Sequence, residues 1–180
     1  MHSLTRQSQQ LKEAADSIMR QTHLLKQFES LGAIFFVGGY ELGVMYRRDI
    51  DFYIQTRTYN STQVKNITKQ LIDSEKFQTV ALADWTEHKP PTNIDIQGYY
   101  WQLVYYQDQT PWKFDIWYTT QTELQAVKDT QSIKQKLAKN PEAKEEILKL
   151  KQKYFNGQKY INNLTGMDIY MQILGKDVLK

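Results

Sequence analysis

The 180-residue chain is 41% hydrophobic and 13% aromatic, enough to bury one core and carry a helical appendage beside it. A charged fraction of 24% and a net charge of +3 argue against intrinsic disorder and against a strongly basic nucleic-acid-binding chain. With no cysteine there are no disulfides or thiolate metal sites, and with no apolar run near the roughly 18 residues that span a bilayer the expectation is a cytoplasmic protein without a membrane partner.

Leu4, Leu11, Ala15, Ile18, Leu25 and Phe28 recur at helical spacings and predict one amphipathic helix ending near Gly32. "AIFFV" reads as a buried strand, and after Gly38-Gly39 a short helical turn leads to a second strand, "RDIDFYIQT". A helix follows around "STQVKNITKQLIDSEK", with Asn60 or Ser61 as its cap. Strands are expected at 77–83, 98–107 and 112–118, the last two forming an antiparallel hairpin across "DQTP". Residues 120–138 predict one helix, "NPEAKEEILKLKQKYF" a second with Asn140 as cap and Pro141 at its first position, and 165–175 a last one. The fold class is therefore α/β (α+β): a mixed sheet flanked by helices, with a core over 1–120 and a helical part over 121–180 packed beside it.

Within the second strand, alternation puts Asp49, Asp51 and Tyr53 on one face and Ile50, Phe52 and Ile54 on the other. Two carboxylates about 5 to 7 Å apart repel by roughly 2 to 3 kcal/mol at an effective dielectric near 20, so keeping both ionised beside a core calls for a cation. Oxygen ligands without cysteine or adjacent histidine favour a hard ion, Mg²⁺ or Mn²⁺, over zinc. The Gly38-Gly39 turn supplies a complementary feature, because backbone N–H groups at a helix start attract phosphate and glycine permits close approach. Either feature alone is ordinary: a glycine pair is often a tight turn and Asp-x-Asp often a solvated pair.

Together, "VGGYELGVMYRRDIDFYI" resembles the signature of the DNA polymerase β-like nucleotidyltransferase superfamily, through Gly38, Gly39, Gly43, Asp49 and Asp51. The resemblance covers about residues 35 to 118. It implies a nucleotidyltransferase-like fold, Mg²⁺ or Mn²⁺ as cofactor, and a nucleoside triphosphate such as ATP as substrate. It also implies in-line transfer of a nucleoside monophosphate, with two ions held by Asp49 and Asp51 and a third carboxylate on a later strand. Asp115 in "KFDIWY" suits that role by its apolar strand neighbours, whereas Asp84, Asp95 and Asp108 lie at strand ends or in loops. Gly39 stands where many members have serine, which leaves activity possible and the substrate open. Arg47 and Arg48, just before the strand, are candidate phosphate contacts, although a solvated loop explains them equally well.

The remaining chemistry-bearing residues read more simply. His2, His23 and His88 lack metal-ligand spacing. Most of the aromatic stripe Tyr99, Tyr100, Trp101, Tyr105, Tyr106, Trp112 and Trp117 packs a sheet, with Tyr40 and Trp117 nearest the motif residues. There is no Ser-His-Asp constellation, Walker loop or GxGxxG. The functional expectation is an Mg²⁺- or Mn²⁺-dependent nucleotidyltransferase acting on a small-molecule acceptor with a hydroxyl group, as antibiotic-modifying members do. Long nucleic acid is disfavoured by the modest charge. The alternative is a non-catalytic nucleotide-binding or antitoxin-like member of the same fold.

Overall fold

The computed structural model describes residues 3–90, 95–157, 159–161 and 164–175. The chain forms two compact units, one of Ala15–Phe36 and Arg48–Leu124, the other of Met1–Ala14, Val37–Arg47 and Gln125–Lys180.

The first unit is built on a five-stranded sheet. Its strands are β1 (Ala33–Val37), β2 (Asp49–Gln55), β3 (Thr79–Trp85), β4 (Gly98–Gln107) and β5 (Thr110–Thr119), in the spatial order β1-β2-β5-β4-β3. The sheet is mixed: β2 runs parallel to β5, and β4 runs antiparallel to both of its neighbours, β5 and β3. Asp108 and Gln109 close the β4–β5 hairpin with φ of 48° and 62°, the paired left-handed conformation of the turn that matches strand twist.

One sheet face is apolar and deeply buried. Ile50, Phe52 and Ile54 of β2, Trp101 and Leu103 of β4, and Phe114 and Ile116 of β5 are all fully buried. Phe28 meets Phe52 and Trp101 edge-on, with ring centroids 6.0 and 5.2 Å apart. Helix α4 (Ser61–Asp73) buries Val64, Ile67 and Leu71, and its Thr68 hydroxyl accepts the Trp101 indole N–H at 2.8 Å. Asn60 caps α4 by accepting from the Gln63 backbone N–H at 3.0 Å, as its side chain predicts.

β3 lies at Thr79–Trp85 rather than 77–83, β5 at Thr110–Thr119 rather than 112–118, and three helix boundaries also differ from the sequence reading. The first helix is two: α1 (Leu4–Thr22) and α2 (Leu24–Phe28), broken at His23, which is left-handed with φ 53°. The Thr22 hydroxyl donates to the Ile18 carbonyl at 2.8 Å, and the rotation at His23 buries Leu24 completely in place of the expected Leu25. The helix expected from 120 begins only at Gln125, because the Gln55 side-chain amide donates to the carbonyls of Gln121 and Thr122 at 2.8 and 3.0 Å and holds that stretch outside a helix. The next helix starts at Ala143 rather than at Pro141. Its first N–H groups bond three residues back, to the Asn140, Pro141 and Glu142 carbonyls, so Asn140 is not a side-chain cap.

The second unit is helical. It contains α3 (Gly38–Leu42), α5 (Gln125–Lys139), α6 (Ala143–Tyr154) and α7 (Gly166–Leu174). Leu42, Val44, Ile133, Leu137, Ile147, Leu148, Ile169 and Tyr170 form its core. Lys151, 4% exposed, donates to the Val44 carbonyl at 2.8 Å and the Tyr170 hydroxyl at 3.0 Å, which ties α6 to the segment after α3 and to α7. Among the described residues no helix is long and apolar enough to cross a membrane.

Candidate active site

The pleat of β2 and its parallel pairing with β5 assemble the acidic group. Asp51 lies directly opposite Asp115, and Asp49 directly opposite Lys113. Residues two apart on a strand share a face, so these four side chains stand on the sheet face opposite the apolar core. Asp49, Asp51 and Asp115 are half-buried, and each offers a carboxylate oxygen within 4.8 Å of the others. Among the described residues no other three His, Asp or Glu side chains come this close. A donor set of three carboxylates without nitrogen or sulfur fits a hard divalent ion.

Asp115 is held from both sides. The Tyr100 hydroxyl donates to its Oδ1, and Lys113 Nζ lies 2.5 Å from its Oδ2. The Gln102 side-chain amide donates to the Tyr100 hydroxyl at 3.2 Å, completing a chain of donors that runs from β4 to β5. Burial raises the Tyr100 pKa above the ordinary tyrosine value, and the hydrogen bond to Asp115 with that carboxylate's charge raises it further. Tyr53 shares the face and is pushed up to about 12, by burial first and then by Asp51 and Asp115. Both phenols therefore stay protonated at neutral pH, and Tyr100 remains a donor to the carboxylate.

The other residues singled out in the sequence are placed as follows. Gly38, with φ 65°, opens α3 and its N–H donates to the Thr130 hydroxyl at 3.4 Å. Gly39 faces Lys151 Nζ and the Val44 carbonyl, each 3.4 Å from where a Cβ would stand. Tyr40 is 8% exposed, with Lys12 Nζ 3.7 Å from its ring centre. The Arg47 guanidinium lies over Phe155 at 5.7 Å and that of Arg48 over Trp112 at 5.8 Å. Trp117 is buried, its ring 4.9 Å from that of Tyr100. His23 is the helix break, His88 is exposed, and His2 falls outside the described residues. Asp84 lies in β3, near its end, Asp95 in a loop paired with Lys89 at 2.6 Å, and Asp108 in the hairpin turn. Sequence reasoning missed Lys113 and Gln102, although Lys113 sits two residues before Asp115 and so on the same strand face.

No protein-family model and no curated protein matches the sequence. Solved structures do match in three dimensions. The Cid1 poly(U) polymerase with Mg and 3′-dATP bound superposes with a TM-score of 0.53 at 11% identity, over 94% of this chain and 52% of that one. Terminal uridylyl transferase 4 from Trypanosoma brucei, with bound UTP and UpU, gives 0.53 at 13% identity, over 97% and 57%. The conserved protein GrpB from Enterococcus faecalis gives 0.52 at 12% identity, over 91% and 93%. The fold is that of the polymerase β-like nucleotidyltransferases. The chain spans about half the length of the poly(U) polymerase and of the terminal uridylyl transferase, and nearly all of GrpB.

Proposed function

We propose that the chain is a metal-dependent nucleotidyltransferase, transferring a nucleoside monophosphate from a triphosphate to an acceptor hydroxyl. The observation that carries the reading is the convergence of Asp49, Asp51 and Asp115, with an oxygen from each inside 4.8 Å. Left to themselves these carboxylates repel, and a site with no use for them gains nothing by keeping all three on one half-buried face. Asp49, Asp51 and Asp115 would hold Mg²⁺ or Mn²⁺; bound there, the ion supplies Lewis-acid polarisation of the phosphoryl group and neutralises charge on the departing pyrophosphate. Asp115 is the residue we assign to orienting the acceptor hydroxyl and drawing its proton, with the Tyr100 hydroxyl fixing the carboxylate's orientation. Gly38 and Gly39 are proposed as nucleotide contacts on the strength of the motif resemblance, and Tyr40, Arg47 and Arg48 for their places in sequence beside the motif residues.

The acceptor has two readings. The modest +3 charge favours a small molecule. The structural neighbours favour an RNA end, since one carries the name poly(U) polymerase and another holds UTP with UpU. One experiment addresses both: incubate the protein with each labelled nucleoside triphosphate, Mg²⁺ or Mn²⁺, and either hydroxyl-bearing small molecules or short single-stranded RNAs. Label on a small molecule supports the first reading, and extension of RNA the second. If calorimetry finds no metal-dependent triphosphate binding at millimolar concentration, the enzymatic reading fails and a non-catalytic role of the same fold replaces it.

A further inference from the structure

Lys113 engages the carboxylate group from inside it. It stands opposite Asp49 in the β2–β5 register and two residues before Asp115 on β5, so its side chain rises on the same face as all three acids. Its ammonium lies 2.5 Å from Asp115 Oδ2. Tyr100 takes the other oxygen of the same carboxylate. Both Asp115 oxygens thus have a partner within the protein.

We infer that Lys113 is an internal counter-cation of the carboxylate group that competes with a divalent ion for Asp115 Oδ2. The inference rests on the metal-site reading above. The exposures of the pair carry it beyond the contact itself: the Asp115 side chain is 16% exposed and the Lys113 side chain 39%. The acid is fixed, whereas the lysine rides on a flexible four-carbon stem that reaches solvent and can swing aside at little cost. Displaced, its ammonium remains beside the site with three donors free for an anion that enters with the metal. Tyr100 does not compete in this way, because it brings no formal charge.

The test is a titration of the metal-free, full-length protein with Mn²⁺, following the free ion by electron paramagnetic resonance, with Asp115→Asn as the control that the signal reports this site. Lys113→Gln removes the competing charge and is expected to tighten Mn²⁺ binding about tenfold, the scale of one partly screened charge at contact distance. Lys113→Arg keeps the charge and should stay within about twofold of wild type. A purely structural role for Lys113 predicts the opposite sign, since loosening Asp115 weakens a ligand set. Equal or weaker Mn²⁺ binding by a folded Lys113→Gln protein overturns the inference while leaving the metal site standing; no uptake by wild type or variant at millimolar Mn²⁺ overturns the metal reading and this inference with it. A second measurement needs no variant: Mn²⁺ should raise acylation of Lys113 by an amine-reactive ester several-fold relative to exposed Lys65, read by mass spectrometry. Unchanged labelling of Lys113 on a protein that binds Mn²⁺ counts against the displacement.

Discussion

Asp51 and Asp115 are register partners, directly opposite one another on parallel strands β2 and β5, on the face turned away from the apolar core. Two ionised carboxylates at the Cβ separation of such a pair, about 5 Å, repel by roughly 3 kcal/mol at an effective dielectric near 20. The fold bears that cost at the place where a divalent cation would remove it. Asp115→Asn preserves shape and removes one charge, so the protein should stay folded while metal-dependent transfer falls by about 100-fold or more, measured with labelled triphosphate. Asp95→Asn loses only the pair to Lys89, whose side chains are 69% and 82% exposed for lysine and aspartate respectively, and should leave both activity and stability nearly untouched. Asp108→Asn, in the hairpin turn, should also leave transfer unchanged. An Asp95 or Asp108 variant that lost transfer while Asp115→Asn kept it would move the third ligand elsewhere.

Trp101 is completely buried between Phe28 and Tyr118, and its indole N–H reaches Thr68 at 2.8 Å. Thr68→Val is close in volume but leaves that donor without its acceptor inside the core. A loss of about 1 to 3 kcal/mol is expected in urea unfolding. Trp101→Ala removes the ring itself and should lose about 3 to 5 kcal/mol.

The two motif glycines after Gly38 should differ in their tolerance of a side chain. Gly43 terminates α3 at φ 66°, where an L side chain crowds its own carbonyl, so Gly43→Ala should destabilise by about 1 to 2 kcal/mol. Gly39 has an ordinary backbone, and its added Cβ would meet its neighbours at 3.4 Å or beyond. Gly39→Ser should therefore fold with a change of no more than about 0.5 kcal/mol. Thermal melts of the two variants side by side give the comparison.

Helix α7 begins with a capping box in which Thr165 accepts from the Asp168 backbone N–H at 3.2 Å, while the Asp168 carboxylate accepts from the Thr165 backbone N–H and hydroxyl, each at 2.7 Å. Those bonds hold the Asp168 carboxyl below its ordinary value of 3.8, the Thr165 hydroxyl contributing most. A depressed folded-state pKa adds stability that is present above the unfolded value and is lost as pH falls through the folded one. Wild type should therefore lose a small increment of stability below about pH 4 that Asp168→Asn does not show. At neutral pH, Thr165→Ala should cost about 0.5 to 2 kcal/mol. Unfolding curves of the three proteins at pH 7 and pH 3 check both statements, and parallel acid dependence in wild type and Asp168→Asn would remove Asp168 from the account.

The sequence by itself determined what depends on near neighbours. Alternation in "RDIDFYI" put Asp49 and Asp51 on the face away from Ile50, Phe52 and Ile54, because successive strand residues must point to opposite sides. The boundaries of β4, the hairpin after it and the Asn60 cap were legible for the same reason, each being set by local conformational preference. Only the tertiary structure decided which distant residues join the acids. Asp51 and Asp115 are 64 positions apart, and nothing local requires β5 rather than another strand to pair beside β2; burial of Phe52, Phe114 and Ile116 on the common apolar face does. Lys113 reaches Asp115 along its own strand, whereas the β4–β5 register brought Tyr100 and Gln102 to that carboxylate. The break at His23 and the late start of α5 were hidden because each depends on a bond or packing choice, Gln55 to Gln121 in one case and Leu24 over Leu25 in the other, that helical periodicity does not encode. Periodicity reports which way a side chain points, and the partner it finds is decided by which surfaces the whole chain can bury at once.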